Sequence, residues 1–260
     1  MLKNVPILIH SDILRVFYLF SQKIKKLDDY PRTCLNFLEE KFDNELLFPA
    51  FNYDFGKNLI FDVLEDKIQV GILPEFIRLN TDYFRTTAPF FSVLTKRTEL
   101  CLDQKVYNPF AENSIFEWLY KNKGYVMFFG AKFNAFTFIH YLETLQEDGP
   151  IYRYDKIFYG KVINRNKIMR DVKCKMHVRP INTNLQYNWD LIEQDLLKKK
   201  ILKKHKFSNL IHYALIEDLV DFFFLKYKKD KCYGLNNASK ILFKKITNNF
   251  KNRVRIEDFE

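Results

Sequence analysis

At 260 residues with 47% hydrophobic content, the chain is long enough for one large core or two modest ones, and one domain is the expectation. Charge interrupts every apolar run well before the roughly 18 residues a membrane span requires, and no small-residue cleavage site follows the short apolar patch in MLKNVPILIHSD, so a cytoplasmic protein without a membrane span is expected. The formal charge of +10 owes part of its size to a chain rich in Lys, Asn, Ile and Phe, yet its field attracts anions and repels polycations whatever its origin.

In chain order, PILIHS (6–11) is a short apolar run ending in polar residues, as a buried strand feeding a loop would be. PRTCLNFLEEKF opens with Pro31 at a helix N-terminus and repeats apolar residues at Leu35, Leu38 and Phe42, which predicts an amphipathic helix. ELLFPAFNYDF predicts a second strand that Pro49 ends. VGILPEFIRL then predicts a helix from residue 71, FFSVLT a strand, NSIFEWLY a capped helix broken by Gly124, and YVMFFG a continuous buried strand. Asn134 is expected to cap a helix carrying TFIHYLE, which places His140 about two turns into it and near the crevice that an open α/β sheet offers a ligand. IYRYDKIFYGKV and KCKMHVRP alternate as antiparallel strands. WDLIEQDLLKKKI, FSNLIHYALIEDLVDFFFLKYKK and NASKILFKKITNNF each predict helix. Nothing in the composition marks a repeat or hinge, so residues 1–260 are expected to form a single α/β domain with a mixed sheet.

Cys34, Cys101, Cys174 and Cys232 are far apart with no CxxC pair, and the five histidines show no metal-ligand spacing, so neither a disulfide framework nor a metal is predicted. His140 stands out instead. An imidazole among Phe136, Phe138, Ile139 and Tyr141 must find partners, and Glu143, three places on, shares its helix face. The pair reads either as a satisfied core histidine or as a poised base. Ser11 or Asp12 could cap the segment that follows, Ser92 could be an ordinary strand-edge hydroxyl, and Asn52, Tyr53 and Asp54 could be turn residues. The lysine-rich C-terminus could bind nucleic acid or a membrane, but Ile241, Leu242 and Ile246 give it an apolar side suited to docking, so no nucleic-acid partner is expected.

GAKFNAFTFIHYLE, taken with VGILPEFIR, APFFSV and DLVDF, resembles the aminoglycoside 3-N-acetyltransferase family in order and spacing over most of the chain. The family's Gly-x-Leu-x-Glu helix falls on Gly71, Leu73 and Glu75, its His-Pro-x-x-Ser strand on Pro89 and Ser92, and its Leu-His-x-x-Glu helix on His140 and Glu143. The resemblance implies a three-layer fold, acetyl-CoA or a longer acyl-CoA as cosubstrate, and direct attack of an amine on the thioester without a metal. It further implies His140 as general base with Glu143 orienting it; Ser11, Ser92, Gly71, Thr137 and Arg85 for the acyl donor; and Asn52, Tyr53, Asp54, Arg153 and Lys156 for the acceptor.

One departure shapes the acceptor. Where the aminoglycoside enzymes have His before Pro, this chain has Ala88, and YRYDKIFYGKV is similar to relatives that acylate nucleotide-linked amino sugars for surface polysaccharide. Aminoglycosides are polycations that call for an acidic cleft, whereas coenzyme A and sugar nucleotides carry phosphates that favour Lys and Arg. The expectation is an N-acyltransferase acting on a nucleotide-linked amino sugar, with small-molecule partners and the oligomeric state open. An aminoglycoside acetyltransferase, a binding protein that has lost catalysis, and a nucleic-acid binder are the alternatives.

Overall fold

The computed structural model describes residues 5–24, 26–42, 45–180, 183–248 and 251–259. In the first half the elements are β1 (Pro6–Ser11), α1 (Tyr30–Lys41), β2 (Glu45–Pro49), α2 (Phe55–Asn58), β3 (Ile60–Asp62), α3 (Ile72–Asn80), β4 (Phe84–Arg85), β5 (Val93–Thr95) and β6 (Val106–Tyr107). They continue with α4 (Ile115–Lys121), β7 (Tyr125–Phe129), α5 (Ile139–Glu143), β8 (Tyr154–Ile163), β9 (Met169–Val178) and α6 (Trp189–Lys198). The last are β10 (Lys203–His205), β11 (Ser208–Leu215), α7 (Ile216–Lys229) and α8 (Asn237–Ile246).

A seven-stranded mixed sheet in the order β10-β11-β7-β1-β2-β5-β4 forms the middle layer. Its centre is parallel, β2-β1-β7, with β11 and β5 antiparallel on either side. Side chains alternate between faces of a strand, and here both faces are apolar. Ile7, Ile9, Met127 and Phe129 meet Leu35 and Leu38 of α1 and Leu73 and Ile77 of α3. Leu8, Leu47, Val126 and Phe128 meet Phe116 of α4, Ile139 and Leu142 of α5, and Leu219 and Phe223 of α7. Burial on two sides is why PILI and YVMFF read as unbroken apolar runs. The three-layer α/β architecture matches the expected fold class.

A second, four-stranded sheet, β3-β8-β9-β6, was not foreseen as a separate unit. Its long hairpin runs in register from Tyr154↔Val178 to Ile163↔Met169, and Phe61, Tyr107, Val162, Val172 and Cys174 carry the helix-side core onto it. The β8 and β9 strands and the helices α1, α3, α6 and α8 lie where their patterns placed them.

Three local expectations are corrected. Residues 208–215, read as the start of a long helix, form β11 on the edge of β7. Leu210, Ile211, Ala214 and Leu215 fit a helical stripe as well as a strand, and pairing with β7 decides between them. The strand predicted at FFSVLT begins only at Val93, because Phe90 adopts φ +66° and turns the chain. Asn134 caps no helix: it lies in a single 3-10 turn, Phe133–Ala135, and the helix bearing His140 is only five residues long, starting at Ile139. No helix among the described residues is long and apolar enough to cross a membrane.

Candidate active site

The parallel strands aim their carboxyl ends at one place. At the end of β7, Gly130 takes φ +74°, and a Cβ there would lie 2.3 Å from the Asp12 carbonyl oxygen, so only glycine lets the loop after β1 and the turn after β7 meet this closely. The chain then winds through Phe133–Ala135 into α5, where the amide of His140 donates to the Thr137 carbonyl. His140 and Glu143 share one face, and His140 Nδ1 lies 3.0 Å from Glu143 Oε2. Glu143 points at its helix neighbour His140 and is fully buried.

Around that carboxylate the tertiary structure gathers groups from other elements. Arg153, just before β8, places Nε 3.0 Å from Oε2. His177 of β9 places Nε2 3.4 Å from the same oxygen. On Oε1, Tyr152 donates at 2.9 Å and Tyr187 donates as well, and the Tyr187 hydroxyl accepts from Arg153 Nη2 at 2.7 Å. Burial by itself would raise the carboxyl's pKa, but the Arg153 charge and the histidine contacts outweigh it and hold Glu143 well below the usual carboxylate range. His140 is pushed down by burial and by Arg153, against the opposing pull of Glu143, and burial takes His177 down to about 4. Both imidazoles are therefore neutral at neutral pH.

An ionised carboxylate only accepts hydrogen bonds, so His140 donates its Nδ1 proton to Glu143 and carries its lone pair on Nε2. With 21% of its side chain exposed, the ring opens on a cavity of about 580 Å³ lined by Phe91, Phe110, Arg153, His177, Arg179, Tyr187 and Trp189, among others. A neighbouring cavity of about 600 Å³ shares Tyr187 and Trp189 as its wall and is lined further by Arg15, Lys132, Asn134, Asp190 and Glu193. His140, Glu143 and His177 bring ligand-type atoms within 4.8 Å of one another. The same carboxylate oxygen already pairs with a buried guanidinium, so a metal cation there would meet a like charge.

The residues singled out from sequence fall into three groups. Ser11, Gly71 and Thr137 stand around the end of β1: a Cβ on Gly71 would be 3.4 Å from the Ser11 carbonyl oxygen, and Thr137 Oγ1 lies 3.4 Å from Nε2 of His10, the residue before Ser11. Arg153 joins the Glu143 cluster rather than standing free for a phosphate. The remainder are engaged elsewhere. Arg85 gives Nε to Ser92 Oγ and its two Nη atoms to the carbonyls of Asp66 and Ala50, with Phe61 stacked at 4.8 Å, while Ser92 donates to Ala50 at 2.7 Å. The polar atoms of both are matched within the protein. Asn52, buried, donates to the Lys67 carbonyl and accepts from the Asp54 amide, closing the turn after β2. Asp54 accepts from Gln69 at 2.8 Å, Tyr53 is exposed with its ring edge on Phe91, and Lys156 lies over the Phe158 ring at 4.9 Å; none of the three lines the cavity at His140.

Sequence reading missed Tyr152, His177, Arg179 and Tyr187. Tyr152 adjoins Arg153 in a stretch that was singled out, but no spacing ties any of the four to position 140; only the docking of the second sheet does.

A histidine–carboxylate pair at the carboxyl end of a parallel sheet, open to one cavity with a second beyond the Tyr187–Trp189 wall, stands where such folds place a ligand site. The aminoglycoside 3-N-acetyltransferase family profile matches residues 48–225, more than half of the chain. Among solved structures, one described as AAC-IIIb binary with CoASH superposes with a TM-score of 0.69 at 17% identity, covering 88% of this chain and 91% of that one. Aminoglycoside acetyltransferase AAC(3)-Xa gives 0.68 at 15% identity over 88% of each chain, and YokD from Bacillus subtilis gives 0.66 at 13% identity over 90% of each. No curated protein matches. The chain belongs to the aminoglycoside 3-N-acetyltransferase family, a family of N-acetyltransferases.

Proposed function

We propose that this protein acetylates the amine of a nucleotide-linked amino sugar in the cytoplasm, with His140 as general base. The observation that carries the reading is the 3.0 Å bond from His140 Nδ1 to a carboxylate with no exposed surface, which fixes the tautomer and leaves the lone pair on Nε2 of a ring that lines a cavity. The free amine attacks the acetyl carbonyl, a C–N bond forms, and His140 Nε2 takes the amine proton. The C–S bond then breaks, and the proton passes to the departing thiolate, leaving amide and free coenzyme A thiol. Glu143 holds the ring in place through the Nδ1 hydrogen bond in both protonation states. Ser11, Gly71 and Thr137, at the strand ends beside α5, are the chain's own candidates to border the acyl donor.

The nucleotide-linked acceptor is supported by charge. Among the described residues that line the cavity at His140, the Arg153 charge is matched by Glu143, Arg179 is exposed and adds an unmatched positive charge, and the whole chain is +10. A second reading, an aminoglycoside acceptor, is favoured by Asp190 and Glu193 in the adjoining cavity, which would suit a polycation. Purified protein with acetyl-CoA and a panel of dTDP-, UDP- and GDP-linked amino sugars, run beside aminoglycosides, separates the two: thiol release is expected with a nucleotide-linked amine. Silence across the sugar nucleotides with turnover of an aminoglycoside would replace the first reading by the second. His140→Ala is expected to lower turnover by about two to four orders of magnitude while coenzyme A still binds; an unchanged rate would remove the imidazole from the mechanism.

A further inference from the structure

The sequence offers Arg153 as a cation for a substrate phosphate, but the structure gives it a different neighbour. We propose that Arg153 is a positioning residue whose buried guanidinium balances the charge of Glu143, so that the resting His140 stays a neutral, proton-accepting base instead of an imidazolium. This rests on the reading of His140 as the base.

Arg153 is only 6% exposed and reaches three members of the cluster at once. Nε is 3.0 Å from Glu143 Oε2, and Nη2 is 2.7 Å from the Tyr187 hydroxyl and 3.5 Å from His140 Nδ1. Its own backbone is pinned, because the Arg153 carbonyl accepts from Arg253 Nε at 2.8 Å and Arg253 pairs with Asp155 at the start of β8. The backbone is fixed there, and the guanidinium is held by its contacts with Glu143 and Tyr187.

A buried carboxylate 3.0 Å from an imidazole, acting alone, would draw a proton onto the ring. A base that is already protonated at rest cannot accept the proton of an amine. With Arg153 present, Glu143 keeps its hydrogen-bonding geometry and loses most of its net pull, because the carboxylate and guanidinium together are neutral. The other groups facing His140 do not supply this balance. His177 is neutral, Tyr152 and Tyr187 are neutral donors to Oε1, and Arg179 on the strand edge carries a positive charge but is exposed to solvent and salt. Burial is the largest cause of the depression of His140, and Arg153 comes next, with a smaller contribution from Arg179; the Arg153 effect agrees in direction.

The test is read at the ring, not through turnover. Nitrogen NMR of His140 in the full-length, substrate-free protein is expected to show wild-type imidazole neutral at neutral pH with its proton on Nδ1. In Arg153→Met its titration should move up by on the order of one pH unit or more; in Arg153→Lys it should stay close to wild type; in Arg179→Gln it should move up less, and by an amount that salt abolishes. The acidic limb of the kcat/KM profile should follow the same order. A lost packing contact would lower kcat at every pH without moving the limb. An unchanged His140 titration in folded Arg153→Met overturns the proposal. Should that variant fail to fold, an imidazolium at neutral pH in the wild-type protein overturns it equally. Because substrate is absent, this outcome is independent of the His140→Ala result: a neutral, Arg153-dependent ring whose removal leaves turnover intact would sink the base and leave the charge balance standing.

Discussion

Two arginines are buried to nearly the same degree, Arg85 at 4% exposure and Arg153 at 6%, and they do different things. Arg85 faces neutral acceptors: two backbone carbonyls and a serine hydroxyl, with an aromatic ring beneath. Burial dominates its surroundings and brings its pKa down to about 10, still far above neutrality, so it remains a fixed cation that ties the ends of β2 and β4 to the loop at Asp66. Arg153 faces a buried carboxylate that also holds two histidines, and Glu143 drives its pKa upward against the penalty of burial. The first is a brace made of hydrogen bonds to groups that never change charge. The second belongs to a cluster in which moving one proton changes every member. A guanidinium in a core is therefore not by itself a sign of a site; the ionisable partner is.

The sharpest way to break this contrast is to remove the carboxylate. Glu143→Ala leaves a buried guanidinium without its counter-charge and should cost about 3–5 kcal/mol of stability, measured by urea unfolding, together with a loss of turnover. A loss under 1 kcal/mol would mean that Arg153 is solvated in a way the packing does not allow.

A middle-sized effect separates the two regions by pH. His177 titrates near 6.5 when unfolded and near 4 when folded, and His10, stacked on Phe128 beside Thr137, drops further, to about 3. Between those values the unfolded chain binds more protons, so their contribution is complete above 6.5 and is lost as pH falls toward the folded values. Each such histidine should remove about 1.4 kcal/mol per pH unit in that window. Glu143, with its pKa depressed, adds to the loss only below the ordinary carboxylate range. Unfolding free energies that stay flat as pH is lowered from neutral to 5 would contradict the buried, neutral state of these rings.

The smallest effect belongs to the brace. Ser92→Ala removes one hydroxyl shared by Arg85 and the Ala50 carbonyl and should cost about 1 kcal/mol, with turnover and the acid limb unchanged. A change in the KM for acetyl-CoA would return Ser92 to the donor site that the sequence first suggested.

Much of the scaffold is legible in the chain because its causes are local. Apolar runs at PILI and YVMFF, the Pro31 start and the Ser114 cap, whose Oγ accepts from the Glu117 amide, each fix an element from within a few residues. The His140–Glu143 pairing is legible for the same reason, since a separation of three places two side chains on one helical face. Where the local pattern serves two structures equally, as at SNLIHYAL, reading fails and pairing with a neighbour decides. Ser92 and Arg85 show a different limit of the motif: a family-like position says where a side chain lies in the chain, but not that its donors and acceptors meet backbone that no motif includes.

By itself, then, the sequence determined the layers of the fold, the histidine and its carboxylate, and a charge suited to anionic ligands. Tertiary structure alone decided the protonation state of that histidine, because His177 of the second sheet, Tyr152 and Arg153 just before it, and Tyr187 ahead of α6 reach Glu143 only in the folded chain. Periodicity carries information over one or two turns, whereas the field at a buried ring is set by whichever charges folding brings within a few ångströms.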